Sequence, residues 1–387
     1  MNSITTNSNS HLAQVADDLR TDELLINMGP QHPSTHGVLR VIIKTDGEIV
    51  KSAYPEIGYL HRCMEKHSEN VEWIGVTPFV DRMDYLASMN NAMGYAIAVE
   101  RLMGIEVPER AQYIRVITSE LQRIASHLMS YGTYGLDMGA FTTFMYGFRD
   151  REMILDIFEM QSGARLLYNY LVIGGTFRDV TPAITARIKQ FTEYFKPKIE
   201  EYNTLLSYNQ IFIERTRNVG VIDLQTCFSY GLTGVMLRGA GLRWDLRKDI
   251  PYSIYPKLEF DIPVGSGEMG TLGDCWDRHI VRMREMGESL RIIEQLIDSI
   301  PAGPHRAKVP KTIKVPAGEA YSRTECPRGD LGFYIISDGG TKPYRVKVKS
   351  PCFLNISALD ELNRGVMVAD LVATIGSLDI VLGEVDR

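Results

Sequence analysis

One apolar stripe near the middle of the chain constrains the fold more than any other feature. Its residues, spaced three and four positions apart, are Ile114, Ile117, Leu121, Ile124 and Leu128. This spacing keeps them on one side of an α-helix, so we predict a helix over residues 108–131 with a buried face. Similar patterns predict further helices, over residues 84–104, 142–163, 181–206, 274–300 and 359–377. We therefore expect a large helical core.

The predicted strands of the sheet lie at the two ends of the chain. The predicted strands cover residues 24–27, 38–45 and 48–52 at one end, with a tight turn at Asp46-Gly47, and residues 319–326, 331–337 and 344–349 at the other. We predict an α+β fold with a small antiparallel sheet built from N- and C-terminal segments around the helical core. The predicted segments are a flexible tail at 1–22, a β segment at 23–55, a mainly helical core at 56–310, and a β segment with a closing helix at 311–387. The last three form one compound domain from 23 to 387.

Composition limits the partners and the location. The 387 residues are 44% hydrophobic and 23% charged, and the net charge of −6 includes no Lys/Arg-rich run that would follow a nucleic-acid backbone. No stretch approaches the roughly 20 apolar residues needed to cross a bilayer. The N-terminal tail has no signal-peptide pattern. We expect a cytoplasmic protein that reaches a membrane only through partners, and no nucleic-acid partner.

The spacing of the five cysteines argues against a metal centre. No two of them are closer than 26 positions, and no CxxC pair occurs. Iron–sulfur and structural zinc sites usually include two thiolates on one short loop, because such a pair is easily held at a metal. We therefore predict that the chain binds no metal ion or cluster. The odd count also favours a reducing compartment.

Histidines supply the first candidate site residues. His32 and His36 lie in the loop GPQHPSTHG at residues 29–37, where no third metal ligand is evident. Such Pro/Gly punctuation most often serves structure alone. His127 lies on the apolar stripe, where a histidine is more often part of the core than functional.

GSGEMG at residues 265–270 matches the dinucleotide-binding fingerprint G-x-G-x-x-G, after a strand-like stretch at 258–264 and before a helix. That fingerprint requires a parallel βαβ unit. Here the helix is followed by the proline-containing loop PAGP at residues 301–304 instead of a second strand. We interpret the motif as an ordinary connection.

Several longer motifs, taken in order, carry a family resemblance. They are GPQHPSTHG at 29–37, GYLHR and MEK within 58–66, RMDY at 82–85, RAQYIRV and SHL within 110–128, LDMGAFTTF at 136–144, RDREMI at 149–154, SDGG and PYRVKVKSP within 337–351, and GEVDR at 383–387. From about residue 24 onward the chain resembles the large quinone-site subunit of respiratory complex I, NADH:quinone oxidoreductase, which is itself similar to nickel–iron hydrogenase large subunits. Cys63 replaces the usual glycine, and Ile380 stands where the family ending usually reads Asp-Pro.

The resemblance implies a nickel–iron hydrogenase large-subunit-like fold whose former metal cavity receives a quinone headgroup. Hydrogenases hold nickel with two CxxC pairs, and the corresponding regions here, DRMDY and DIVL, contain no thiolate. His36 and Tyr85 would hold the quinone oxygens, and Asp137 would orient or charge-balance His36. His32 and Gly37 would belong to the pocket loop.

The resemblance also implies partners. Arg62 and His127 would lie near the terminal iron–sulfur cluster of the adjacent small subunit and tune its potential. This chain would hold no cofactor of its own, with quinone as substrate. It would join other peripheral-arm and membrane-arm subunits of a proton-translocating enzyme, on the cytoplasmic side of the inner membrane.

Three alternatives stay open at this point. The first is a hydrogenase-like enzyme with its own metal, which the missing thiolate pairs oppose. The second is a purely structural subunit that docks partners without touching substrate. The third is a related complex fed by ferredoxin or another donor in place of NADH.

Overall fold

The structure is a computed structural model that describes residues 23–387. The tail predicted at residues 1–22 lies outside the described residues. No helix in residues 23–387 is both long enough and apolar enough to cross a membrane.

Helices dominate the described chain. Seven of them are numbered: α1 (Ser88–Met103), α2 (Glu109–Asp137), α3 (Phe141–Ser162), α4 (Pro182–Phe195), α5 (Cys275–Ile297), α6 (Val368–Leu378) and the short α7 (Leu382–Asp386). Other short helices are Met64–Ser68, Thr77–Asp81, Lys198–Tyr202, Gln210–Thr216, Leu224–Tyr230, Val235–Gly239, Leu246–Asp249, Pro351–Ser357 and Leu359–Asn363. Pro33–Thr35, Trp73–Val76 and Tyr255–Lys257 are 3-10 turns, and Asn203–Ser207 is a π turn.

Helix α2 is the centre of the core, as the apolar stripe predicted. The stripe residues Ile114, Ile117, Leu121, Ile124 and Leu128 are all within 2% of complete burial. They pack against α3 and α5, which flank α2. The predicted closing helix at 359–377 is divided in two, because Gly365 turns the chain with a φ of 81°.

The strands form three separate antiparallel sheets in the part of the chain that is described. The strands are β1 (Glu23–Met28), β2 (Arg40–Asp46), β3 (Ile49–Glu56), β4 (Leu171–Val172), β5 (Gly175–Thr176), β6 (Gly318–Cys326), β7 (Gly329–Ser337) and β8 (Arg345–Lys349). They pair as β1-β2-β3, β4-β5 and β6-β7-β8. The prediction of one sheet shared by the two ends of the chain is therefore wrong, although the α+β class holds.

The two three-stranded sheets stay apart because each packs on its own apolar cluster. β2 and β3 share one cluster with α6 and the Leu359–Asn363 helix, against which β3 packs. β6 and β7 pack on α1 and β8 on the Met64–Ser68 helix, within a second cluster. The edge of β3 bonds instead to the turn before α6: Val50 N donates to Val366 O at 2.8 Å, and Gly365 N donates to Val50 O at 2.8 Å. The two ends of the chain therefore meet through short contacts such as this one rather than through a common ladder of strands.

Candidate active site

The loop at residues 29–37 is held in one shape by its own hydrogen bonds. His32 Nδ1 accepts from Ser34 N at 3.2 Å, and Thr35 Oγ1 donates to His32 O at 2.8 Å. His32 and Gly37, both exposed, pair across the loop as an antiparallel bridge. His36 takes a left-handed conformation with a φ of 52°. These contacts fix the backbone from which the His36 side chain projects.

His36 contacts Asp137, which lies 101 positions away at the end of α2. Its Nε2 is 2.6 Å from Asp137 Oδ2, and the two side chains are 13% and 7% exposed. Helix α6 packs against both the Pro33–Thr35 turn and α2. A Cβ added at Gly376 of α6 would lie 3.2 Å from Asp137 Oδ2, so the glycine leaves room for this carboxylate. The structure thus brings together two of the predicted site residues.

Tyr85 and Arg62 both approach Gly383 in α7. A Cβ added at Gly383 would lie 2.8 Å from Arg62 Nη2 and 3.3 Å from Tyr85 Cε1. Arg62 Nη2 donates to Arg82 O at 2.6 Å, while Arg62 Nε is buried without a partner among residues 23–387. The Tyr85 hydroxyl makes no hydrogen bond within the same residues, and burial raises the pKa of this phenol. A second pair of predicted residues is therefore assembled around α7.

Helix α7 links these two parts of the site. A Cβ added at Gly37 would lie 3.3 Å from the Leu382 side chain, so the histidine loop rests on α7. The Asp386 carboxylate accepts from Gly58 N at 2.9 Å and from Leu60 N at 2.7 Å, which holds the segment leading to Arg62. Helix α7 therefore positions both the histidine loop, through Leu382, and the segment that carries Arg62, through Asp386.

Arg328 has a role that the sequence analysis did not indicate. Its Nη1 lies 2.9 Å from Asp84 Oδ2 and donates to Ser126 Oγ at 2.8 Å, and its Nε donates to Asp379 O at 3.0 Å. Burial lowers the pKa of Arg328, but Asp379 and Asp84 outweigh burial, so the guanidinium stays charged. Asp84, the residue before Tyr85 in the sequence, lies in this buried ion pair.

His127 occupies the interior, apart from the other predicted residues. Its Nε2 lies 2.9 Å from Glu285 Oε2, and both side chains are within 1% of complete burial. Burial lowers the pKa of His127, and Glu285 opposes this effect. Glu285 belongs to a buried ionic centre formed by α2, α5 and their neighbours. The centre consists of Glu120, Arg123, His127, Arg238, Asp245, Arg247, Glu285 and Glu325.

Comparison with known proteins now identifies the family. The family model described as respiratory-chain NADH dehydrogenase, 49 Kd subunit, matches residues 137–314 and 307–387. Over 386 residues the chain is 54% identical to the D-type subunit of NADH-quinone oxidoreductase from Chlorobium luteolum, covering 99% of this chain and 98% of that protein. The chain belongs to this family.

Other relatives carry the same description. The D-type subunit from Pelodictyon phaeoclathratiforme is 53% identical over 386 residues, which cover 99% of this chain and 96% of the relative. The one from Prosthecochloris aestuarii is 54% identical over 377 residues, which cover 96% of this chain and 94% of the relative. As a member of the 49 Kd subunit family, the chain is a subunit of NADH-quinone oxidoreductase, and other complex I subunits are its partners.

The dinucleotide-like motif lies outside the parallel βαβ unit that its fingerprint requires. Residues 258–264 contain no strand, contrary to the strand-like pattern, and every strand pair in residues 23–387 is antiparallel. Gly267 N and Gly273 N donate to Asp277 Oδ2 at 3.1 and 3.0 Å, so the glycine-rich connection is fastened to the start of α5. Within the described residues, no three His, Cys, Asp or Glu side chains come together in a way that could hold a metal ion.

Proposed function

We propose that this chain forms the quinone-reduction site of a proton-translocating NADH:quinone oxidoreductase, beside the terminal iron–sulfur cluster of an adjacent small subunit. The observation that supports this most is the 2.6 Å contact between His36 Nε2 and Asp137 Oδ2. A carboxylate at this distance holds the imidazole in one orientation. The other ring nitrogen, Nδ1, is then available to a quinone oxygen.

The reaction adds two electrons and two protons to a quinone and yields the quinol. In this proposal the electrons come from the partner's cluster, while this chain supplies position, protons and hydrogen-bond donors. Negative charge develops on the quinone oxygens as electrons arrive, and donors placed there stabilise it. Tyr85 suits this task because burial raises the pKa of its phenol, so the hydroxyl remains protonated at neutral pH.

Other residues take supporting roles in the proposal. His32 and Gly37 close the loop that presents His36. Arg62, whose buried Nε lacks a partner among residues 23–387, suits a position facing the partner's cluster. His127, whose side chain is completely buried, tunes the potential of that cluster from the interior of the chain.

The proposal extends to the organisation of the chain. Residues 23–387 form one compound domain with a nickel–iron hydrogenase large-subunit-like fold, and the chain holds no cofactor of its own. It lies in the peripheral arm on the cytoplasmic side of the inner membrane, between the iron–sulfur small subunit and the membrane-arm subunits.

Tyr85→Phe tests the proposal, because it removes one hydroxyl and keeps the ring. The assembled complex should oxidise NADH with an artificial acceptor at the normal rate and lose most quinone reduction, by about a hundredfold. Tyr54→Phe is the matched control, since Tyr54 is 65% exposed on β3. A Tyr85→Phe complex that reduces quinone at the rate and affinity of the unaltered enzyme would leave the chain with a docking role only.

A further inference from the structure

Glu384, which follows Gly383 in α7, is a completely buried carboxyl group. It is 0% exposed, and neither Oε1 nor Oε2 has a hydrogen-bond partner of good geometry within residues 23–387. Buried polar groups nearly always have such partners, and an unpaired buried charge costs several kcal/mol. This environment disfavours a charged carboxylate.

The groups that face Glu384 give it no cation of its own. They are the carboxylate of Asp84, the thiols of Cys326 and Cys352, and the guanidinium of Arg328. Arg328 is already paired with Asp84 at 2.9 Å and with a second carboxylate at 3.4 Å. An ionised Glu384 would therefore add a third carboxylate around one guanidinium.

The titration of Glu384 agrees with this charge balance. Burial, reinforced by Asp84, raises the pKa of Glu384 to about 8, while Cys352 and Arg328 act in the opposite sense. With Arg328 already held by two other carboxylates, this environment favours the neutral carboxylic acid form of Glu384. A proton is thus held inside the fold at a group that the mechanism above does not use.

Glu384 and Tyr85 lie in the same part of the fold. Tyr85 and Glu384 share three electrostatic neighbours, namely Asp84, Arg328 and Cys352. The residue before Glu384 is the glycine whose added Cβ would lie 3.3 Å from the Tyr85 ring. The acid and the phenol therefore belong to one buried cluster.

We propose that Glu384 is a positioning residue that stores a proton and returns it to Tyr85 after Tyr85 has protonated the quinone. In the first step the Tyr85 O–H bond breaks as an O–H bond forms on the reduced quinone. In the second step the Glu384 O–H bond breaks as the Tyr85 O–H bond forms again, which leaves a carboxylate that regains a proton from solvent. No electrons move in the second step. This inference rests on the role proposed for Tyr85.

Glu384→Gln in the intact complex tests the inference, because glutamine keeps the shape and neutrality of the acid but cannot give up a proton. We expect the rate of quinone reduction to fall at least about tenfold. In the unaltered complex the rate should decline as Glu384 ionises on raising the pH through about 8, and the variant should lack this decline. Glu384→Asp, which restores a titratable proton, should recover part of both. Glu361→Gln is the control, since Glu361 is exposed. NADH oxidation with an artificial acceptor measures assembly.

Infrared difference spectra provide a readout that does not depend on turnover. Reduction of bound quinone in the unaltered complex should perturb the C=O band of a protonated carboxyl group, and Glu384→Gln should abolish that band. A Glu384→Gln complex with the normal rate and pH profile would overturn the inference. A missing carboxyl band in the unaltered enzyme would also overturn it, and this measurement does not require the variant to assemble. An inactive Tyr85→Phe beside a normal Glu384→Gln would refute only the stored proton. An active Tyr85→Phe would refute the proposed function itself.

Discussion

Gly383→Ala tests how closely α7 packs on the site. The substitution should lower stability by crowding the neighbours of α7, although alanine is favoured over glycine in a helix. The added Cβ would lie 2.5 Å from Met83 O and 2.8 Å from Arg62 Nη2, whereas ordinary contacts begin at 3.4 Å. The carbonyl belongs to the backbone, so α7 or the segment beneath it must move by about 1 Å. This displacement falls on the same surface that Tyr85 contacts.

The expected change in the free energy of unfolding follows from comparison with a second glycine, Gly287 in α5. A Cβ at Gly287 would meet only one atom, at 3.9 Å, so Gly287→Ala should stabilise the chain by about 1 kcal/mol through helix preference alone. Gly383→Ala gains a similar amount but adds overpacking of about 1–3 kcal/mol. The free energies of unfolding of the two variants should therefore differ by about 1–3 kcal/mol.

Urea denaturation of the purified chains measures that difference, and quinone reduction by the assembled complexes measures the consequence for the site. Displacement of reacting groups by about 1 Å can lower a rate roughly a hundredfold. We expect Gly383→Ala to lose quinone reduction and Gly287→Ala to keep it. Equal unfolding free energies for the two variants would show that α7 does not press on the site as described.

Three further outcomes are expected. Arg328→Met should destabilise the chain by about 3–5 kcal/mol in thermal unfolding, because it leaves buried carboxylates without their cation, whereas Arg364→Met at an exposed pair should leave thermal stability nearly unchanged. Asp137→Asn should lower quinone reduction about tenfold or more and leave the melting temperature nearly unchanged, because it weakens the hold on His36; a normal rate would contradict this. The pKa of Glu384 in the folded chain, about 8, lies above its ordinary value of 4.5. The stability that Glu384 contributes is therefore complete below about pH 4.5 and is lost as the pH rises towards 8. Unfolding curves of Glu384→Gln measured over this range should lack that part of the pH dependence.

Local pattern predicted the elements better than it predicted their partners. The stripe from Ile114 to Leu128 identified α2, and Asp46-Gly47 identified the turn between β2 and β3, because both signals depend on neighbouring residues. Alternation within a strand does not say which edge it will meet. The two ends of the chain form separate sheets, and the edge of β3 pairs with the turn before α6 and not with a C-terminal strand.

The candidate site shows the same limit. His36 and Asp137 are 101 positions apart, and only the family resemblance suggested that they would meet. The charged pattern of residues 274–300 predicted an amphipathic helix, yet α5 buries Asp277, Arg278, Arg282 and Glu285. Those charges find partners on other elements, and no periodicity within one helix records such pairs.

The buried ionic centre around His127 and Glu285 implies a particular response to temperature. The hydration of charged groups becomes less favourable on warming, so the penalty for keeping these ions out of water decreases. Cooling has the opposite effect on the ions, and it also weakens the burial of apolar surface. The contacts between α2 and α5 should therefore be the part of this chain most sensitive to cold, with amide hydrogens in α2 exchanging relatively faster than those in the apolar sheet clusters as the temperature falls.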